Sequence, residues 1–97
     1  MKLEHRISND WQETMINGSR NKKRALSMLR ARILSSKIES GEVLYLKDEE
    51  IYDIISNMIN KRKASIKKAS GQKQLKFISR EALEIIIVDH YLPNSVI

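Results

Sequence analysis

Apolar residues recur along this chain at helical spacing. Leu3, Ile7, Trp11 and Met15 follow one another at intervals of four, with Thr14 beside them. That stripe predicts a helix from about Leu3 to Ile16, closed by Asn17-Gly18, which tolerate a left-handed cap. Leu26, Leu29 and Ile33 mark a second helix from about Asn21 to Glu39, with Ala25, Leu34 and Ile38 widening its inward face. Ser19 is placed as its N-cap and Gly41 as its stop. Glu42 to Lys47 reads as a connector whose Val43, Leu44 and Tyr45 fold back on the core. Asp48 is expected to cap the next helix, with Glu49 and Glu50 in its first turn, where the helix dipole favours acids.

The third helix has the cleanest pattern: Ile51, Ile54, Ile55, Met58, Ile59 and Ile66. At 100° per residue, Arg62 falls on the same stripe as Ile51, Ile55 and Met58. A cation there must reach past the core edge or meet a carboxylate. The fourth helix is expected over about Gln72 to Leu92, with Leu75, Ile78, Ala82, Ile85 and Ile86 inward. Ile85 to Val88 alone is compatible with a buried strand, but length and the flanking period favour helix. Pro93 forbids continuation and places the end near Tyr91. A short break at Ser70-Gly71 between two long helices predicts an antiparallel hairpin. Arg62 and Glu81 then come level across it as a structural ion pair, with Glu84 or Asp89 as fallback partners. The expected fold is all-α: one domain over residues 1–97, a compact bundle of about four helices closed by that hairpin.

Composition narrows the functional classes. The 97 residues suit a single small core, and three glycines and one proline disfavour a turn-rich sandwich or barrel. The absence of Cys excludes disulfides, thiolate metal sites and Cys nucleophiles. No apolar run approaches the ~20 residues of a membrane span, and the start Met1-Lys2-Leu3-Glu4-His5-Arg6 lacks a signal-peptide apolar region, so a cytoplasmic protein is expected.

Net charge is +6, and no acid occurs between Glu13 and Glu39 or between Asp53 and Glu81. Two acid-free basic blocks suggest a polyanion-facing surface; solvated faces are the alternative. The first block, Arg20, Lys22, Lys23 and Arg24, sits at the wrong end of a helix dipole for cations, which hints at an external anion. The second, Lys61, Lys63, Lys67, Lys68, Lys73 and Lys76, flanks the hairpin tip. Phosphate contacts need charge and reach rather than a fixed motif, so these lysines and arginines are the candidate nucleic-acid contacts. Aromatics are only 5% of the chain, which argues for backbone or shape recognition rather than base stacking. Trp11, on an apolar stripe, is read as a core anchor.

Catalytic constellations are missing. His5 and His90 have no second ligand at metal spacing, so no metal is expected. There is no Gly-x-Ser-x-Gly elbow and no glycine-rich phosphate loop. Glu81, Glu84 and Asp89 share one helix with no complementary base or nucleophile, and no cofactor is implied.

Several stretches together resemble the GatB/YqeY family: Leu29-Arg30, Asp48-Glu49-Glu50, Lys61-Arg62-Lys63-Ala64-Ser65-Ile66, Glu81-Ala82-Leu83-Glu84-Ile85 and Tyr91-Leu92-Pro93. Their order and spacing carry the likeness over nearly the whole chain. The resemblance implies a helical domain like the tail of GatB in the tRNA-dependent amidotransferase. In that enzyme, glutamine-derived ammonia amidates Glu-tRNA(Gln) or Asp-tRNA(Asn), and the tail is associated with tRNA recognition. Chemistry lies in its other domains and subunits. Two departures stand out: Gln72 follows Gly71 where the family usually has Arg, and the family pattern usually continues beyond Tyr-Leu-Pro, whereas this sequence stops at Ile97. The implied partner is tRNA or another RNA, or alternatively a protein such as an amidotransferase on which the domain docks.

Overall fold

The computed structural model describes residues 2–95. Four helices follow one another: α1 (Leu3–Asn17), α2 (Arg20–Ser40), α3 (Asp48–Ser70) and α4 (Leu75–Asp89), and no strand forms among the described residues. This is the expected all-α bundle, and α3 and α4 pack most extensively, as the hairpin. The core is aliphatic. Leu3 and Ile7 of α1, Leu26, Leu29 and Ile33 of α2, Ile51, Ile55 and Met58 of α3, and Ile85 and Val88 of α4 close on one another. Burying an aliphatic side chain of this kind contributes roughly 1.5–3 kcal/mol relative to exposure.

Local signals explain most boundaries. Ser19 Oγ accepts from the Lys22 amide at 3.1 Å, and Gly41 ends α2 in the left-handed region at φ 74°. Gly18 is different from its expected role: its φ is −85°, so no left-handed cap forms. It is needed for closeness, because a Cβ there would collide with Thr14 Cα and Cβ. The left-handed residue of the hairpin turn is Lys73, at φ 54°.

Asp48 departs from its expected role as well. It is the first residue of α3 and makes no cap there; Lys47 is the N-cap. Its Oδ1 instead accepts from the Leu3 amide at 3.1 Å, capping α1 from another helix. Glu4 ties the same region together, since Oε1 accepts from the Leu46 amide at 3.0 Å and Oε2 meets Lys37 Nζ at 2.9 Å. At the other end of the chain, the Tyr91 hydroxyl donates to Asp10 Oδ2 at 2.6 Å.

Several apolar residues expected inside lie outside. Met15, Leu34, Ile38, Val43, Leu44, Leu75 and Ile86 are exposed, and Tyr45 narrowly so. The connector buries only Leu46. In α4 the inward face is rotated towards Glu84, Ile85, Val88 and Asp89. The buried carboxylate Glu84 lies on that face and meets arginines of α2 and α3.

Candidate nucleic-acid interface

α2 and α4 pack together with their first turns at the same end. Asn21, the second residue of α2, lines one groove with Leu75, Lys76, Ser79, Arg80 and Leu83 of α4. The last turn of α3, carrying Lys67 and Lys68, is joined to α4 by only four residues and so reaches this end too. Two basic blocks separated by some forty positions therefore converge. Arg20, Lys22, Lys23, Lys61, Lys63, Lys67, Lys68, Lys73 and Lys76 are all exposed.

The local chemistry of the three helix ends differs. Lys67 and Lys68 complement the C-terminal dipole of α3 and are favourably placed. The first turns of α2 and α4 contain no acid, and α4 has no side-chain cap. Cations in those turns sit against the helix dipole, each at a cost of a few tenths of a kcal/mol when exposed. An anion docked there would relieve it.

Two arginines of the basic blocks are occupied internally. Arg62, 8% exposed, places Nε 3.3 Å from Glu81 Oε2 and Nη2 2.9 Å from Glu84 Oε2. Its Nε also donates to Glu84 Oε2 at 3.0 Å. Asp89, a fallback partner in the sequence reading, turns away and accepts from Ser95 Oγ at 2.7 Å. Arg24, placed by the sequence among nucleic-acid contacts, sets Nε 3.1 Å from Glu84 Oε1, although its side chain stays 44% exposed. Glu84 is thus clamped by arginines from α2 and α3. Glu84 Oε1 and Glu81 Oε2 lack well-angled hydrogen bonds, but both lie within ion-pair distance of a guanidinium. Their charges are compensated by proximity.

Arg80 escaped the sequence reading. It lines the groove, lies half-buried over the Phe77 ring at 5.6 Å, and its buried Nε has no hydrogen-bond partner. The signal was present as spacing: Lys76, Ser79, Arg80 and Leu83 fall at i, i+3, i+4 and i+7, one face of a helix.

A second groove, of about 350 Å³, runs between α1 and α2 and includes Trp11, Ala31, Ile33 and Leu34. Trp11 is half-buried; its Nε1 donates to Ser27 Oγ at 2.8 Å, and the Arg30 guanidinium covers the ring at 3.9 Å. Arg30 over the ring and Ser27 on its polar edge thus reduce the surface that Trp11 offers to a base.

Among the described residues, no group of three His, Cys, Asp or Glu side chains could hold a metal ion. No helix there is long and apolar enough to cross a membrane.

Fold and surface together define a small helical bundle with a basic end. The chain belongs to the Yqey-like protein family, whose model matches residues 4–97. This family is that of domains like the C-terminal part of GatB. A search of curated proteins finds no match for the chain.

Proposed function

We propose that the domain is a non-catalytic RNA-binding module that grips the phosphate backbone, with tRNA its natural partner class, like the tail of the amidotransferase protein GatB. The observation that carries this reading is the meeting of the two acid-free basic blocks at one end, where Asn21 shares a groove with Lys76 and Arg80. Backbone recognition of this kind requires no aromatic platform and no catalytic group, and it draws on released counterions for much of its affinity.

A gel shift against total tRNA at two salt concentrations tests it. Affinity should fall steeply between about 50 and 200 mM salt, by tenfold or more if several phosphates are neutralised. Retention that is absent at low salt, or insensitive to salt, overturns the reading.

Protein docking, on an amidotransferase or another partner, is the second reading. It is favoured by Leu34, Ile38, Val43 and Leu44, exposed between 59% and 86% on α2 and the connector. Such residues mark interaction surfaces when they form a contiguous patch. Charge reversal of Lys67 and Lys68 separates the two readings: RNA retention is lost under the first and unchanged under the second.

A further inference from the structure

The groove between the first turn of α2 and the first half of α4 differs from the rest of the basic surface. At the hairpin tip, Lys67, Lys68 and Lys73 are long, exposed side chains free to follow any anion. In the groove, which is open to solvent and about 400 Å³ in volume, Asn21 of α2 faces Lys76, Ser79 and Arg80 of α4. Arg80 is held against Phe77, which limits its freedom before any ligand arrives. Its Nε has been removed from water and given no acceptor in return. Asn21 and Ser79 stand on either wall, and both can donate hydrogen bonds. A charged donor left without an acceptor beside a lysine, an amide and a hydroxyl is the complement of a tetrahedral oxyanion.

We propose that this groove seats one backbone phosphate of double-helical RNA. Arg80 and Lys76 neutralise the phosphate, Asn21 and Ser79 donate to its oxygens, and the tip lysines contribute charge at longer range. The planar guanidinium of Arg80 offers paired N–H donors that match the edge of a phosphate. The commitment to a paired strand follows from Trp11, which is covered by Arg30 and tied to Ser27, and from the scarcity of other aromatics. This inference rests on the RNA-binding reading and narrows it to a position.

Three variants of the full chain with the same loss of charge test it: Arg80→Gln, Asn21→Asp and Lys61→Gln. Asn21→Asp is nearly isosteric and places a carboxylate in the first turn of α2, where the dipole favours it, so its melting temperature should hold or rise. It therefore keeps the test intact should Arg80→Gln fold poorly. Binding is measured by anisotropy of a labelled RNA hairpin with a fully paired stem, over a salt series. Arg80→Gln should weaken binding about tenfold by loss of a charge-assisted bidentate contact, and Asn21→Asp by about as much by setting a carboxylate in place of a donor against the phosphate. Lys61→Gln should weaken it only about twofold, by removing diffuse charge. Extrapolation to high salt should preserve the deficit of the groove variants and erase that of Lys61→Gln.

If the wild-type chain fails to bind the hairpin, the RNA-binding reading falls and the site with it. If it binds and all three variants weaken equally, the seat is overturned while the RNA-binding reading stands. If an unlabelled phosphoserine peptide displaces the hairpin at equal phosphate concentration, the groove is a general phosphate or phosphopeptide site, and the assignment to an RNA strand is overturned.

Discussion

Arg62 and Lys63 are neighbours in sequence and carry the same charge, yet Arg62 is 8% exposed between two carboxylates while Lys63 lies in solvent. The same contrast holds along the whole α3–α4 hairpin. Its middle contains Arg62, Glu81 and Glu84, drawn inward and joined by Arg24 from α2. Its tip contains Lys67, Lys68, Lys73 and Lys76, all exposed. Charges in the middle have lost their water and depend on each other, so their geometry is fixed. Those at the tip retain their water and remain available to a ligand. Burial, more than residue type, separates charges that hold this fold from charges that can serve a partner.

The strongest way to break this comparison is to remove Glu84, which is 1% exposed and serves two arginines. Glu84→Ala leaves Arg62 buried with only Glu81, and loses Arg24 as a tie between α2 and α4. A loss of about 3–5 kcal/mol is expected, measured by urea unfolding, which is a large fraction of the stability of a small domain. Arg62→Met should be milder, because a methionine fills much of the same apolar path and Glu84 keeps Arg24. Equal losses in the two variants would show that Glu84 does not organise the network.

Tyr91 sharpens the same point with a pH dependence. Its hydroxyl is buried, donates to Asp10 at 2.6 Å, and has its pKa pushed well above the ordinary tyrosine value, mainly by burial and then by the Asp10 carboxylate. A pKa raised on folding means that the neutral form is favoured in the native state. The contribution is full below the unfolded value of about 10 and is lost progressively as pH rises above it. Tyr91→Phe should cost about 1 kcal/mol near neutral pH and flatten the alkaline loss of stability above pH about 10, as read from thermal melts. An unchanged alkaline limb in the variant would remove Tyr91 as its cause.

How much of this was legible in sequence follows the same division. Period and punctuation gave the four helices, the hairpin and the inward position of Arg62, because a stripe at 3.6 residues is a local property. The outward-facing Leu34, Ile38, Leu75 and Ile86 were misjudged because a wide apolar stripe does not say where neighbouring helices stop covering it. Asp48 looked like the cap of its own helix, while its acceptor went to Leu3, forty-five residues away. Arg24 looked like one more cation in a basic run, and its pairing with Glu84 has no local signature. At the basic end, the lysines were visible as charge. The groove was not, because it depends on where α2 lies against α4. Asn21 and Arg80 became candidates only once that packing was known.

The smallest effect on stability should come from the tip. Lys67 and Lys68 are exposed and make no ion pair among the described residues, so substitution there should shift unfolding by no more than about 0.5 kcal/mol. Lys67→Glu with Lys68→Glu also places two acids at the negative end of the α3 dipole, which costs at most a few tenths more for each. Net charge falls by four, and retention of tRNA at low salt should drop by at least tenfold, with a shallower salt slope. Stability and binding thus move in opposite proportion to Glu84→Ala, which takes most of its toll on folding. If the double reversal instead unfolds the domain, the tip is structural and the division between the two halves of the hairpin fails. If the domain stays folded and its hold on tRNA is unchanged, the tip lysines are solvated faces and the case for protein docking takes precedence.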